Sequence, residues 1–327
     1  MTKDGVINVN KPIGWTSHDV VAKLRGMLKI KKVGHTGTLD PQATGVLPVC
    51  LGKGTRIVPF LMDVDKEYRA VLRLGQETDT QDASGKVLRS SEVPPSALDA
   101  VSGALQSFVG AYLQMPPMYS AVKINGVPLY KSARLGKEIE RAPREVAIRS
   151  VRFHRREGND ITFSVVCSKG TYVRTLCADI GSRLGVGGHL VALERVRSGN
   201  FHVDDSVTIE SLSELYSKGE WEKEIYSINE VLEALPAVWI KESHLQKVHH
   251  GAPVGMEGIA ASDPFEKGMP LRFLDSQGTL LGIGAASAEP SRGEGNSAML
   301  FKVKTNLSER EEPVSVERRK FLRQGLF

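Results

Sequence analysis

Residues 66–75, KEYRAVLRLG, alternate with a period of two: Tyr68, Ala70, Leu72 and Leu74 fall on one side, and Arg69, Val71 and Arg73 on the other. An extended chain turns alternate side chains to opposite faces, so the segment predicts a strand with one apolar face. Such a strand is not stable alone; it demands sheet partners and a layer packed on its apolar side. The neighbouring sequence offers both. GVINVN opens as a short apolar strand and runs into a Lys-Pro-x-Gly turn. Thr16 or Ser17 then supplies an N-cap, and Val20, Val21, Leu24, Met27 and Leu28 recur at helical spacing. SSEVPPSALDAVSGALQSFVG reads as one helix, with Leu98, Val101, Leu105 and Phe108 on one side. ITFSVVCSKGTYVRTLCADIGSRLG predicts a strand, a Lys-Gly turn, a second short strand, and a helix burying Leu176, Cys177, Ile180 and Leu184. Asn125-Gly126 between two apolar–polar runs signals a hairpin, and Pro128 places its second arm at an edge.

A chain of 327 residues suits two domains. Composition breaks near Leu235-Pro236, after an acidic helical stretch, and the remainder of the chain is rich in short strands. Two units are expected, 1–235 and 236–327. No stretch reaches membrane-spanning length, and the N-terminus lacks an apolar signal core, so a cytoplasmic protein is expected. Three cysteines, Cys50, Cys167 and Cys177, sit in apolar contexts without CxxC spacing, which argues against a disulfide framework or a zinc site.

The net charge of +5 is unevenly spread. Residues 121–156 hold ten Lys/Arg against three Glu, and residues 1–38 hold seven against two Asp, whereas 204–247 carry ten acids against four lysines. Two basic blocks are either solvated faces or a polyanion-binding surface.

The stretch GHTGTLDPQATGVLPVCLG, residues 34–52, holds the candidate chemistry. It is not a phosphate loop: six residues, not four, separate Gly45 from Gly52, and Gly54 follows Lys53. His35 and Asp40 alone are too few for a metal site, so no metal is expected. Asp-Pro in a glycine-rich setting commonly makes a turn. The same glycines could bring backbone against a ligand and present one carboxylate, already ionised at neutral pH, as a nucleophile. Both readings of Asp40 stay open at this level. In KGTYVRTL, an extended 171–175 would put Tyr172 and Arg174 on one face, suited to stacking on a base or holding a carboxylate, or simply forming an amphipathic junction. Tyr68 by itself continues the core face of its strand, and His249-His250 reads as helix surface.

NKPIGWTS, KKVGHTGTLDPQATGVLPVCLG, KEYRAVLRLG, QMPPMYSAVKINGVPLYKSAR, KGTYVRTLCADIG and GGHLVALERVRSG occur in that order. Together they resemble the TruB family of bacterial tRNA pseudouridine synthases, which isomerise uridine 55 in the tRNA T-loop. The resemblance spans most of residues 10–199, and more loosely the tail resembles a PUA domain. It implies an α+β fold with a central mixed, mainly antiparallel sheet flanked by helices, and a small C-terminal β-barrel. It implies a thumb-like RNA-binding insertion at about 117–145 and a tRNA T-arm as partner. It implies catalysis by Asp40 as nucleophile, with Tyr68 and Arg174, and substrate contacts from His35, Tyr68, Tyr172 and Leu193. Lys11, Lys123, Lys131, Arg134 and Arg141 are expected to contact RNA.

Isomerisation breaks N1–C1′, turns the uracil and joins C5 to C1′, leaving composition and redox state unchanged, so no cofactor is expected. The carboxylate could add to the ribose or the base, or help abstract a ribose proton. Flipping the nucleotide out costs a few kcal/mol. Stacking on a ring returns roughly 1–3 kcal/mol per base. A monomer working without guide RNA is expected; a guide-dependent synthase, a non-catalytic tRNA chaperone and a nucleoside hydrolase are the rivals. The intact Asp40, Tyr68 and Arg174 set and the basic thumb-like segment weigh against them.

Overall fold

The computed structural model describes residues 3–120, 122–124, 126–136, 139–288 and 299–307. Its largest element is a ten-stranded sheet. Across it the order is Ile225–Tyr226, Gly5–Lys11, Ala43–Leu51, Gly188–Ser198, Lys66–Leu74, Asp160–Cys167, Arg144–Glu157 and Gly110–Gln114. Val33–His35 and Phe201–His202 attach to Ala43–Leu51 and Gly188–Ser198. Only Gly188–Ser198 against Ala43–Leu51 is parallel, so the sheet is mixed and mainly antiparallel.

The strand Lys66–Leu74 lies near the centre, and its alternating face is buried as the sequence predicts. Tyr68, Ala70, Leu72 and Leu74 pack with Phe163 and Val165 of the next strand and with Leu176, Cys177 and Ile180 of the helix Val173–Arg183. A second core forms where the helix Ser17–Leu28 lays Val20, Val21 and Leu24 over Ile7, Val9 and Val49. That helix starts on a reciprocal capping box: Thr16 Oγ1 accepts from the Asp19 N–H, and Asp19 Oδ2 accepts from the Thr16 N–H.

The parallel pairing depends on Gly45. It stands opposite Arg195, at φ +96°, and a Cβ there would sit 2.3 Å from the Arg195 carbonyl oxygen. Only glycine lets the two strands approach this closely.

The C-terminal unit is a six-stranded sheet in the order Val254–Gly255, Met299–Asn306, Leu280–Ala288, Leu271–Leu274, Ala237–Ile240, Ile259–Ser262. Its two edge strands are joined by the single turn Met256–Gly258, so the sheet curls into a nearly closed barrel. The joint near residue 235 is not a free linker. Val6, Cys50 and Ile57 share one buried cluster with Ala237, Leu274, Leu280 and Ile283. Arg272 fastens the same joint, donating to the carbonyls of Leu235 and Glu233 and to Asn229 Oδ1.

Some local expectations are corrected. The helix expected between residues 90 and 110 is two short ones, Pro95–Asp99 and Val101–Gln106, separated at Ala100. No second strand follows the Lys-Gly turn: Tyr172 is extended as the N-cap residue, and the helix begins at Val173. The hairpin of residues 123–128 is present, with Lys123 opposite Pro128, while Asn125 lies outside the described residues. All three cysteines are buried and unpaired.

Candidate active site

Asp40 occupies the loop between Val33–His35 and Ala43–Leu51, and that loop is tied down from several sides. The Thr36 N–H donates to the Pro48 carbonyl. Ser17 Oγ both accepts from the Leu39 N–H and donates to the Leu39 carbonyl. The Pro41 carbonyl takes the Gly14 N–H at 2.8 Å and Lys11 Nζ at 3.2 Å. The Ala43 N–H closes a turn on the Asp40 carbonyl. Asp-Pro is therefore a turn, and the turn is what aims the carboxylate.

The carboxylate meets Arg174. Nη2 lies 3.3 Å from Oδ1 and 3.2 Å from Oδ2, and also donates to the Tyr119 carbonyl at 2.8 Å. Nη1 faces Asp82 Oδ2 at 3.5 Å. Arg174 is in the first turn of its helix, where the macrodipole disfavours a cation, and its side chain is only 6% exposed. Two carboxylates offset that placement. The Asp40 side chain stays 39% exposed. Burial raises its pKa above the ordinary carboxylate value; Arg174 opposes that rise, and Asp82 adds to it.

Tyr172 is the N-cap residue of the same helix, and the Arg174 guanidinium carbon lies 5.8 Å from its ring centre. Tyr68 is 9% exposed on its central strand, opposite Arg195 in register. Burial pushes the Tyr68 hydroxyl pKa up, and the Arg195 cation works against that. Leu193 is half-buried between Ala43 and Ala70 in the sheet. His35 accepts the Gly37 N–H on Nδ1 and meets His18 edge-on. Burial, with help from His18 and Arg195, lowers its pKa to about 4, so at neutral pH it is uncharged with its proton on Nε2.

The expected RNA-contacting cations divide. Lys131 is exposed. Arg141 is half-buried and donates to the Pro116 carbonyl. The side chains of Lys123 and Arg134 lie outside the described residues. Lys11 is corrected: it is fully buried, and Nζ is held by the carbonyls of Pro12, Trp15 and Pro41. It braces the Asp40 turn from beneath instead of meeting phosphate. Burial lowers its pKa to about 8, against the pull of Asp40.

Two residues enter the site unannounced. Asp82 comes from a polar hairpin tip, TDTQDASG, that reads as ordinary turn chemistry. Arg195 is 2% exposed; its Nε donates to the Val46 carbonyl and its Nη2 to that of Gly37, so it anchors the other side of the Asp40 loop. Among the described residues no cluster of three or more His, Cys, Asp or Glu could hold a metal.

Two family models match consecutive parts of the chain. Residues 25–173 match "TruB family pseudouridylate synthase (N terminal domain)". Residues 174–237 match "tRNA pseudouridylate synthase B C-terminal domain". The fold thus falls in the class of pseudouridylate synthases. The tRNA pseudouridine synthase B of Syntrophotalea carbinolica is 45% identical over 291 residues, 88% of this chain and 93% of that one. That of Geobacter sulfurreducens is 44% identical over 83% of this chain and 90% of its own. The chain belongs to the TruB family. Among solved structures, an H/ACA RNP bound to a substrate RNA containing 2′-deoxyuridine aligns with TM-score 0.72 and 30% identity. That alignment covers 94% of this chain and 86% of that one. A Cbf5-Nop10-Gar1 complex aligns at 0.70 and 33%, covering 90% and 83%.

Proposed function

We propose that this protein isomerises uridine 55 in the T-loop of tRNA to pseudouridine, with Asp40 as the group that attacks the flipped nucleotide. The observation that carries this reading is the Asp40–Arg174 contact, which leaves the Asp40 side chain 39% exposed. Arg174 keeps Asp40 ionised once RNA excludes water, where an unpaired carboxylate would take up a proton. Tyr68 offers its ring to the extruded uracil, Tyr172 and Leu193 line its other sides, and His35 supports the RNA the base has left. The His35 imidazole is neutral at working pH, so it acts by shape and hydrogen bonding instead of charge. The N1–C1′ bond breaks, the uracil turns, C5 bonds to C1′, the bond that Asp40 formed in its attack breaks to return the carboxylate, and the C5 proton leaves while N1 gains one. No atom is added and no electron pair is exchanged with a second reagent.

The basic segment from 121 to 156 contacts T-arm phosphates, which places Lys131 and Arg141 on the RNA side. The relatives named tRNA pseudouridine synthase B support a tRNA substrate for this chain. Tritium release from a T-arm stem-loop labelled at uridine C5 tests the reading. Turnover is expected with protein and RNA alone. Tight tRNA binding without release, or release only with an added guide RNA, would overturn it.

A further inference from the structure

Gln114 is the last residue of the edge strand Gly110–Gln114, and its strand partner is Arg144. The basic thumb segment leaves the sheet immediately after Gln114 and returns at Arg144. Gln114 is itself only 2% exposed. Its side-chain amide makes a two-point clamp on one backbone unit of the helix opposite: Oε1 accepts the Tyr172 N–H at 2.7 Å, and Nε2 donates to the Tyr172 carbonyl at 2.9 Å. The helix Val173–Arg183 has no side-chain cap of its own at Tyr172, so this amide does the fixing. The same carbonyl accepts the Leu176 N–H, the first turn of the helix. Arg174, two residues on, receives its second tie to the thumb root from the Tyr119 carbonyl.

We propose that Gln114 is a positioning residue for the reaction, which locks Tyr172 and Arg174 in place against Asp40 and couples them to the root of the thumb. It touches no substrate. The inference rests on the synthase reading, and it predicts an effect on turnover instead of RNA affinity.

Gln114→Glu gives the sharpest test. A protonated glutamic acid reproduces the clamp, its carbonyl accepting from the Tyr172 N–H and its hydroxyl donating to the Tyr172 carbonyl. The ionised form loses the donor and sets a negative charge against that carbonyl. The charged and titratable groups around this position are Tyr112, hydrogen-bonded both to Asp179 and to the Gln114 side chain, Arg144 across the strand pair, and Tyr172 and Arg174 on the helix. Burial raises a carboxyl pKa, so the neutral form persists above the usual carboxylate range. The ratio of variant to wild-type kcat is therefore expected near one at the acid end, falling at least tenfold as pH rises. tRNA Kd should stay within threefold. Gln114→Leu should lose kcat at every pH. Hydrogen exchange at the Tyr172 amide, a readout independent of turnover, should quicken at least tenfold in Gln114→Leu while the amides of Phe163 and Val165 stay protected. A ratio flat with pH, or a loss carried by Kd with kcat intact, would overturn the proposal. Wild-type protein without turnover would sink the synthase reading, and the exchange result would still decide whether the clamp exists.

Discussion

Arg174 reaches both carboxylate oxygens of Asp40 with a single nitrogen, Nη2, at 3.3 and 3.2 Å. A two-nitrogen fork would hold the carboxylate more firmly. Here the other terminal nitrogen, Nη1, is directed at Asp82, so one guanidinium is shared between two acids. The consequence is a carboxylate that shares its cation with a second acid and stays partly exposed.

Asp82→Asn isolates that sharing. Asp82 Oδ1 accepts from the Ser84 N–H and from Thr80 Oγ1, and asparagine keeps an oxygen for those bonds. The amide nitrogen then faces Arg174 Nη1, so both the charge and the acceptor at that contact are lost. Turnover should fall about tenfold or more, equivalent to about 1.4 kcal/mol of barrier, with tRNA affinity little changed. Asp82 raises the Asp40 pKa, so its neutralisation should also move the acid limb of the pH–rate profile to lower pH. Arg174→Lys should move that limb the opposite way if it weakens the cation's hold on Asp40. Single-turnover rates across pH check both directions.

Lys11→Met removes the buried ammonium under the Asp40 turn. Three carbonyls lose a charged donor, which should cost about 1–3 kcal/mol. The sign of its pH dependence comes from a folded pKa of about 8 against the ordinary lysine value of 10.5. Between those values the unfolded chain holds a proton that the folded one has released, so stability contributed at this site rises with pH through that window. The wild-type minus Lys11→Met difference in Tm should therefore widen from about pH 8 to about pH 10. A constant difference would show that Lys11 is not held in this environment.

The shared core at the joint near residue 235 predicts one cooperative unfolding transition for both units. A chain cut after Leu235 uncovers Val6, Cys50 and Ile57, which the barrel otherwise covers. It should lose several kcal/mol, at about 25 cal/mol per Å² of apolar surface exposed. Calorimetry on the two chains reads this directly, and two separate transitions in the full chain would refute it.

Lys131 is exposed in the thumb segment and should act on RNA through charge alone. Lys131→Ala is expected to weaken T-arm binding and to lower the slope of log K against log salt by about one. An unchanged slope would remove it from the phosphate-contacting set.

How much of the fold and site is legible in the sequence depends on where the information lies. The strand Lys66–Leu74 and the helix Ser17–Leu28 follow from periodicity, because each buries one face of a regular element. TYVRT reads as extended because Thr, Tyr and Val favour strands. Its helix starts at Val173 because the clamp from Gln114 fixes Tyr172, a contact 58 residues distant that no local pattern carries. Lys11 reads as a surface cation because its burial is created by carbonyls from Pro12, Trp15 and Pro41 closing round it. Asp82 is hidden for a similar reason: a polar hairpin tip gains a role only when the fold carries it to Arg174. Family motifs, more than periodicity, point to Asp40, and the structure shows an Asp-Pro turn that sets its carboxylate against Arg174.

The most direct test of the account is single-turnover tritium release by Asp40→Asn on C5-labelled T-arm RNA. The variant is expected to fold, to bind the RNA with wild-type affinity, and to release no tritium above background. Release at a measurable fraction of the wild-type rate, from protein free of deamidated or wild-type contaminant, would contradict it.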